Sequence, residues 1–125
     1  MDKKKILIID DEENFCNLVK KNVEKTNEFE VYTATNGDDG IKLIKEIKPN
    51  LILLDIIMPG LDGGDVVSLI RSDNSIKNTP IVFLTSLVRK DEGGCQAGFT
   101  KGYSLLAKTV TVGELIACIK ENVRG

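Results

Sequence analysis

Short apolar runs alternate with amphipathic stretches along the chain. The run "KILII" at 5–9 has the length and continuity of a buried strand. Phe15, Leu18, Val19 and Val23 then recur at helical spacing over 12–25. "FEVYTA", Phe29–Ala34, is β-branched and aromatic and predicts a second strand. Asn36-Gly37 punctuates the chain, Ile41, Ile44 and Ile47 mark a helix, and Pro49 ends it. "LILL" at 51–54 predicts a third strand, and Val66, Val67, Leu69 and Ile70 a third helical face. Pro80 opens "IVFL" at 81–84, a fourth strand, and "YSLLA", Tyr103–Ala107, predicts a short fifth. Thr111 and Glu114 have the spacing of a capping box, and Val112, Leu115, Ile119 and Val123 form the face of the last helix. Between 88 and 101 the alternation calls for one more helix. Gly93 and Gly94 each cost roughly 1 kcal/mol against Ala in a helix, so that one is expected to be short or frayed.

Strands that are apolar almost throughout are strands buried on both faces. The pattern therefore predicts an α/β fold, a five-stranded parallel sheet covered on both sides by five helices. There is no internal repeat, low-complexity tract or linker, and 125 residues suit one domain spanning 1–125. The same sequence could be a free-standing protein or a piece of a longer one.

In such sheets, ligands bind beyond the C-terminal ends of the strands, and the polar residues that interrupt the pattern fall there. The first strand runs into Asp10-Asp11-Glu12, the third into Asp55, the fourth into Thr85-Ser86 and the fifth into Lys108. If the first and third strands are neighbours, Asp10, Asp11 and Asp55 converge. Two carboxylates about 4 Å apart repel by roughly 4 kcal/mol at an effective dielectric of 20. Such a cluster requires a counter-charge, and a hard divalent cation with oxygen ligands, Mg²⁺, suits it. Lys108 supplies a second positive charge.

Composition narrows the chemistry. With 42% hydrophobic and 29% charged residues and a net charge of −2, the chain has an ordinary globular balance and no basic excess for nucleic acid. The lysines at 3–5 read as a solvated lead-in to the first strand. No apolar run approaches the roughly 18 residues of a membrane span, and "ILII" is too short for a signal-peptide core. Cys16, Cys95 and Cys118 are scattered, form no CxxC and fit a reduced, cytoplasmic protein. The absence of histidine removes Ser-His and Cys-His catalysis and any phosphohistidine within this chain.

The chain resembles the receiver domain of two-component response regulators over essentially its whole length. "ILIIDDEE" is similar to the family's acidic pair after the first strand, and "LLDIIMPGLDG" to its phosphoacceptor loop. "FLTS" is similar to the switch-threonine segment, and "LLAK" carries the final lysine. The resemblance implies the doubly wound, flavodoxin-like receiver fold with strand order 2-1-3-4-5. It implies a signalling module, not an enzyme acting on other substrates: Asp55 accepts a phosphoryl group from a phosphohistidine on a sensor histidine kinase or phosphotransfer protein. Asp11 would bind Mg²⁺ directly, Asp10 mainly through water, and the Ile57 carbonyl would be a further ligand. Thr85 would hydrogen-bond the phosphoryl group, Lys108 would pair with its oxygens, and the small Ser86 would leave room. A downstream protein partner of unknown identity would read the switched output face. Dimerisation on phosphorylation stays open, with no residue pattern in its support.

Three departures carry expectations of their own. Thr109 stands where the family usually has proline. A cis bond to a non-proline residue costs about 2.5–4 kcal/mol, so a trans Lys108-Thr109 bond is expected. Leu105 stands where the family often has an aromatic residue. Tyr103, two residues earlier and on the same strand face, either takes over that role or leaves it vacant. With the nearby glycines, this predicts an output face that is mobile before phosphorylation and binds an atypical partner. Ile57 and Leu87, two residues beyond Asp55 and Thr85, cannot orient a water, which predicts slow autodephosphorylation. Two rivals differ in class. A pseudo-receiver would bind proteins without phosphorylation. A flavin protein of similar fold would need a phosphate loop where Asp10-Asp11 repels phosphate. No GxxxxGK[ST] motif supports an ATPase or GTPase.

Overall fold

The computed structural model describes residues 3–86, the backbone of 95–100, and 103–123. The elements in chain order are β1 (Lys4–Ile9), α1 (Glu13–Glu24), β2 (Phe29–Ala34), α2 (Gly37–Ile47), β3 (Leu51–Asp55), α3 (Gly63–Arg71), β4 (Ile81–Thr85), β5 (Cys95–Thr100), β6 (Tyr103–Ala107) and α4 (Val112–Asn122). They form one sheet in the order β2-β1-β3-β4-β6-β5. The pairs β1/β2, β1/β3, β3/β4 and β4/β6 are all parallel. These are the five expected parallel strands in the expected 2-1-3-4-5 order, and the architecture is the flavodoxin-like receiver fold.

The central strands are apolar on both faces because each face has its own core. Ile6, Ile8, Leu51, Leu53, Val82 and Leu84 pack with Cys16, Val19 and Val23 of α1 and Leu115, Cys118 and Ile119 of α4. Leu7, Ile9, Ile52, Leu54, Phe83 and Leu105 pack with Ile44 of α2 and Val66 and Ile70 of α3. Three residues expected on buried helical faces are instead exposed: Leu18, Leu69 and Val112. Each helix touches the sheet along a stripe narrower than its apolar face, so the outermost apolar position stays in water.

Helix ends follow local chemistry. The Asn36 side chain caps α2 by accepting from the Asp39 amide. The helix ends with Lys48 in a left-handed conformation before Pro49. The expected Thr111/Glu114 capping box is present, and Asp62 and Asp65 form a second one on α3. The Lys108-Thr109 bond is trans, as expected.

The expectation of five helices is corrected. Among the described residues there are four. Within the span assigned to the remaining helix, Cys95–Thr100 is an edge strand, antiparallel to β6. Thr100 pairs with Tyr103, so only two residues join the strands, the length of a tight hairpin. Gly98 lies inside this segment and disfavours helix, whereas the adjacent edge of β6 offers its backbone groups for pairing. Leu87, Gly93 and Gly94, on which other expectations rested, lie outside the described residues.

Candidate functional site

The parallel topology brings the C-terminal ends of β1, β3, β4 and β6 together. Asp55 is the last residue of β3, paired in register with Leu84, and Thr85 is the last residue of β4, paired with Ala107. Lys108 follows directly, with its amide donating to the Thr85 carbonyl at 2.9 Å. Asp10 follows β1, and its amide donates to the Ala34 carbonyl at 3.0 Å. Each strand is a rigid, buried mount, and the side chain just past its apolar run reaches the rim.

The neighbourhood of β1 and β3 has the expected consequence. Carboxylate oxygens of Asp10, Asp11 and Asp55 lie within 4.8 Å of one another. Asp10 is wholly buried, Asp55 is 6% exposed, and Asp11 faces solvent. Lys108 Nζ lies 2.8 Å from Asp10 Oδ2, 2.5 Å from Glu12 Oε1 and 3.4 Å from Asp55 Oδ2. The Lys108 ammonium also stands 5.2 Å from the centre of the Phe15 ring. Thr85 is buried beside this group. The structure thus gathers Asp10, Asp11, Asp55, Thr85 and Lys108 at one rim.

Electrostatics at the rim are unbalanced in a definite way. Burial, and then the charge of Asp10, push the Asp55 carboxyl up to about 6. Lys108 and a hydrogen bond from the Ile57 backbone pull the other way without cancelling this. For Lys108, burial alone would lower the pKa, but its close contacts with Asp10 and Glu12 and the charges of Asp10 and Asp55 outweigh it and raise it. The lysine is a fixed cation, while the three acids together carry more charge than it neutralises.

The donor set fits a hard cation. All the atoms offered are carboxylate oxygens. Asp10 Oδ1 accepts from the Glu12 amide at 2.9 Å, but the buried Oδ2 receives no aligned hydrogen bond despite its ion pair with Lys108. A buried oxygen with charge and no aligned donor is suited to a metal or a metal-bound water.

The loop after Asp55 is held from both sides. Ile56 donates to the Leu84 carbonyl at 3.2 Å, and Gly63 donates to the Ile56 carbonyl at 3.0 Å. Met58 is buried in the α2/α3 core. Gly60 has φ +77°, a left-handed turn that glycine adopts without strain. At Gly63 a Cβ would meet the Asp55 carbonyl oxygen at 2.8 Å, so α3 can start this close to the loop only because it starts with glycine. The Ile57 side chain is 67% exposed.

Two contacts were not anticipated. Glu12 was visible as part of the acidic run, yet its pairing with Lys108 depends on how α1 begins, which spacing does not specify. Tyr103 faces the same core as Leu105, as expected. It is pinned there: Arg71 Nε donates to its hydroxyl at 2.8 Å, the guanidinium lies 5.2 Å from its ring, and Phe83 meets it edge-on at 5.4 Å. Arg71 also binds the Lys77 and Thr79 carbonyls, which ties β6 to the α3–β4 connection. Cys16 donates to the Asp10 carbonyl at 3.3 Å. Burial and the charge of Asp10 push its thiol up to about 11, which leaves it inert. Cys118 is likewise buried. Among the described residues no helix is long and apolar enough to cross a membrane.

Comparisons with known proteins agree with this geometry. The family model described as the response regulator receiver domain matches residues 6–120. The chemotaxis protein CheY4 of Vibrio cholerae superposes with a TM-score of 0.82 at 21% identity, over 96% of this chain and 98% of that one. The receiver domain of the Francisella response regulator 1452 gives a TM-score of 0.77 at 26% identity, over 95% of each chain. The N-terminal domain of a response regulator receiver protein from Methanoculleus marisnigri JR1 gives 0.70 at 21%, over 94% of each. The sheet order, the acids and lysine at its rim and a family match across nearly the whole chain lead to one conclusion: this chain belongs to the response regulator receiver domain family.

Proposed function

We propose that Asp55 is the phosphoacceptor of a two-component signalling protein. The observation that carries this is the single rim that unites Asp10, Asp11 and Asp55 within 4.8 Å and sets the Lys108 ammonium 3.4 Å from Asp55. A carboxylate oxygen of Asp55 would attack phosphorus of a phosphohistidine. A P–O bond forms, the P–N bond breaks, and the imidazole nitrogen leaves with the electron pair. Little covalent chemistry is asked of the protein, so placement and charge neutralisation do most of the work. Asp10, Asp11, Asp55 and the Ile57 carbonyl would hold Mg²⁺. The chemistry a bound Mg²⁺ supplies is neutralisation of the phosphoryl oxygens. Lys108 would pair with one of those oxygens and the Thr85 hydroxyl would donate to another.

The donor would be a sensor histidine kinase or a phosphotransfer protein, because this chain has no histidine of its own. The protein would act in the cytoplasm and pass the signal to a downstream protein partner, not to nucleic acid or membrane. The region 1–125 would work as one receiver unit. The rival reading, a module that binds partners without phosphorylation, is not favoured: it leaves the buried acids and their lysine without a purpose.

Borohydride reduction tests the site directly, since it converts an aspartyl phosphate to homoserine. After incubation with acetyl phosphate and Mg²⁺, peptide mass spectrometry is expected to find homoserine at position 55. Homoserine at another acid, or at none, would contradict the assignment.

A further inference from the structure

The positive charge of Lys108 is shared unequally. Its Nζ lies nearer Glu12, at 2.5 Å, and Asp10, at 2.8 Å, than Asp55, at 3.4 Å. Asp10 is buried and fixed, but the Glu12 side chain is 63% exposed. Glu12 is the N-cap residue of α1, yet its side chain makes no cap hydrogen bond. Its amide is taken by Asp10 Oδ1 at 2.9 Å. The backbone there is therefore tied to the metal-facing acids while the carboxylate reaches across to the lysine, a contact between residues 96 apart in sequence.

We infer that Glu12 is a positioning residue: an exposed latch that holds the Lys108 ammonium toward α1 until a phosphoryl group arrives on Asp55. This rests on the phosphoacceptor reading above. The ammonium has one position, and the one that brings Nζ to 2.5 Å from Glu12 leaves it 3.4 Å from Asp55. A phosphoryl group adds charge and acceptor oxygens on the Asp55 side. Water screens an exposed carboxylate, so its hold is weak enough to be broken by that addition. A buried acid in the same place would not let go. The latch sets how readily Lys108 reaches the transferring group, and Glu12 itself need touch neither phosphorus nor metal.

The test compares phosphorylation rates with acetyl phosphate at saturating Mg²⁺ for wild type, Glu12→Gln, Glu12→Asp and Glu13→Gln, each with Lys108 and with Lys108→Met. Glu12→Gln is expected to react faster by up to about fivefold, the most an exposed ion pair supplies. Glu12→Asp, with the charge kept and the reach shortened, should fall between. Glu13→Gln removes the same charge from the neighbouring exposed position and should change nothing. In the Lys108→Met background Glu12→Gln should lose its effect. A rate unchanged in Glu12→Gln, matched by Glu13→Gln, or still raised without Lys108 would overturn the latch. A metal-free readout stands beside these: the ¹⁵N ammonium resonance of Lys108 should move in Glu12→Gln, and an unmoved resonance would overturn the pairing itself. If wild type took no phosphoryl group while that resonance still moved, the phosphoacceptor reading would fail and the pairing would stand.

Discussion

Asp55 is held in a folded environment that favours its protonated form. Its carboxyl rises from 3.8 to about 6, chiefly through burial and then through the charge of Asp10. The sign of the consequence follows from linkage. Between those two values the folded state binds more protons than the unfolded one, so stability is fully present below pH 3.8 and is lost as pH rises through about 6. Asp55→Asn cannot ionise and lacks this loss. In chelator at pH 7 the variant is expected to be more stable than wild type by about 1–2 kcal/mol, less than bare carboxylate repulsion because Lys108 offsets part of it. By pH 4 the advantage should vanish. Urea unfolding at both pH values checks this, and a variant no more stable at pH 7 would contradict it. The acids were legible in the sequence because Asp10 and Asp55 each sit one step past an apolar run, and Asp11 one further, where a parallel sheet must present them at a rim. The Glu12–Lys108 and Arg71–Tyr103 contacts were not. Both depend on side-chain reach between elements, and no periodicity encodes that.

Among the elements, α3 and the β5–β6 hairpin carry the most specific expectations. α3 begins against the backbone of the loop that follows β3, where a Cβ on Gly63 would meet the Asp55 carbonyl oxygen at 2.8 Å and the Ile56 Cα at 3.0 Å. Backbone cannot swing aside as a side-chain tip can. Gly63→Ala is therefore expected to cost about 1–3 kcal/mol, as overpacked positions do, and to slow phosphorylation by moving Asp55. Chemical denaturation and acetyl phosphate kinetics measure the two effects, and a neutral variant would contradict the packing. For β5, Cα chemical shifts across Cys95–Thr100 should be strand-like, and helical values would contradict the antiparallel pairing. The sheet and the other helices were legible because near-continuous apolar strands and 3.6-residue stripes are read locally. The expected helix at this edge came from alternation, a regularity of the whole fold. Gly98 and the open edge of β6 favoured a local hairpin instead.

At the scale of the molecule, one end of the sheet gathers the chemistry and both faces are given to cores. The net charge is only −2, so the negative character of the rim is a local concentration and not a property of the surface at large. The acids and the lysine are thereby held together at the strand ends and supported by the buried interior. The most direct measurement is intact mass after incubation with acetyl phosphate, with and without Mg²⁺, for wild type and Asp55→Ala. A gain of one phosphoryl group that requires both Mg²⁺ and Asp55 is the predicted result. A gain that persists in Asp55→Ala or without Mg²⁺, or no gain from either acetyl phosphate or a phosphorylated histidine kinase, would contradict it.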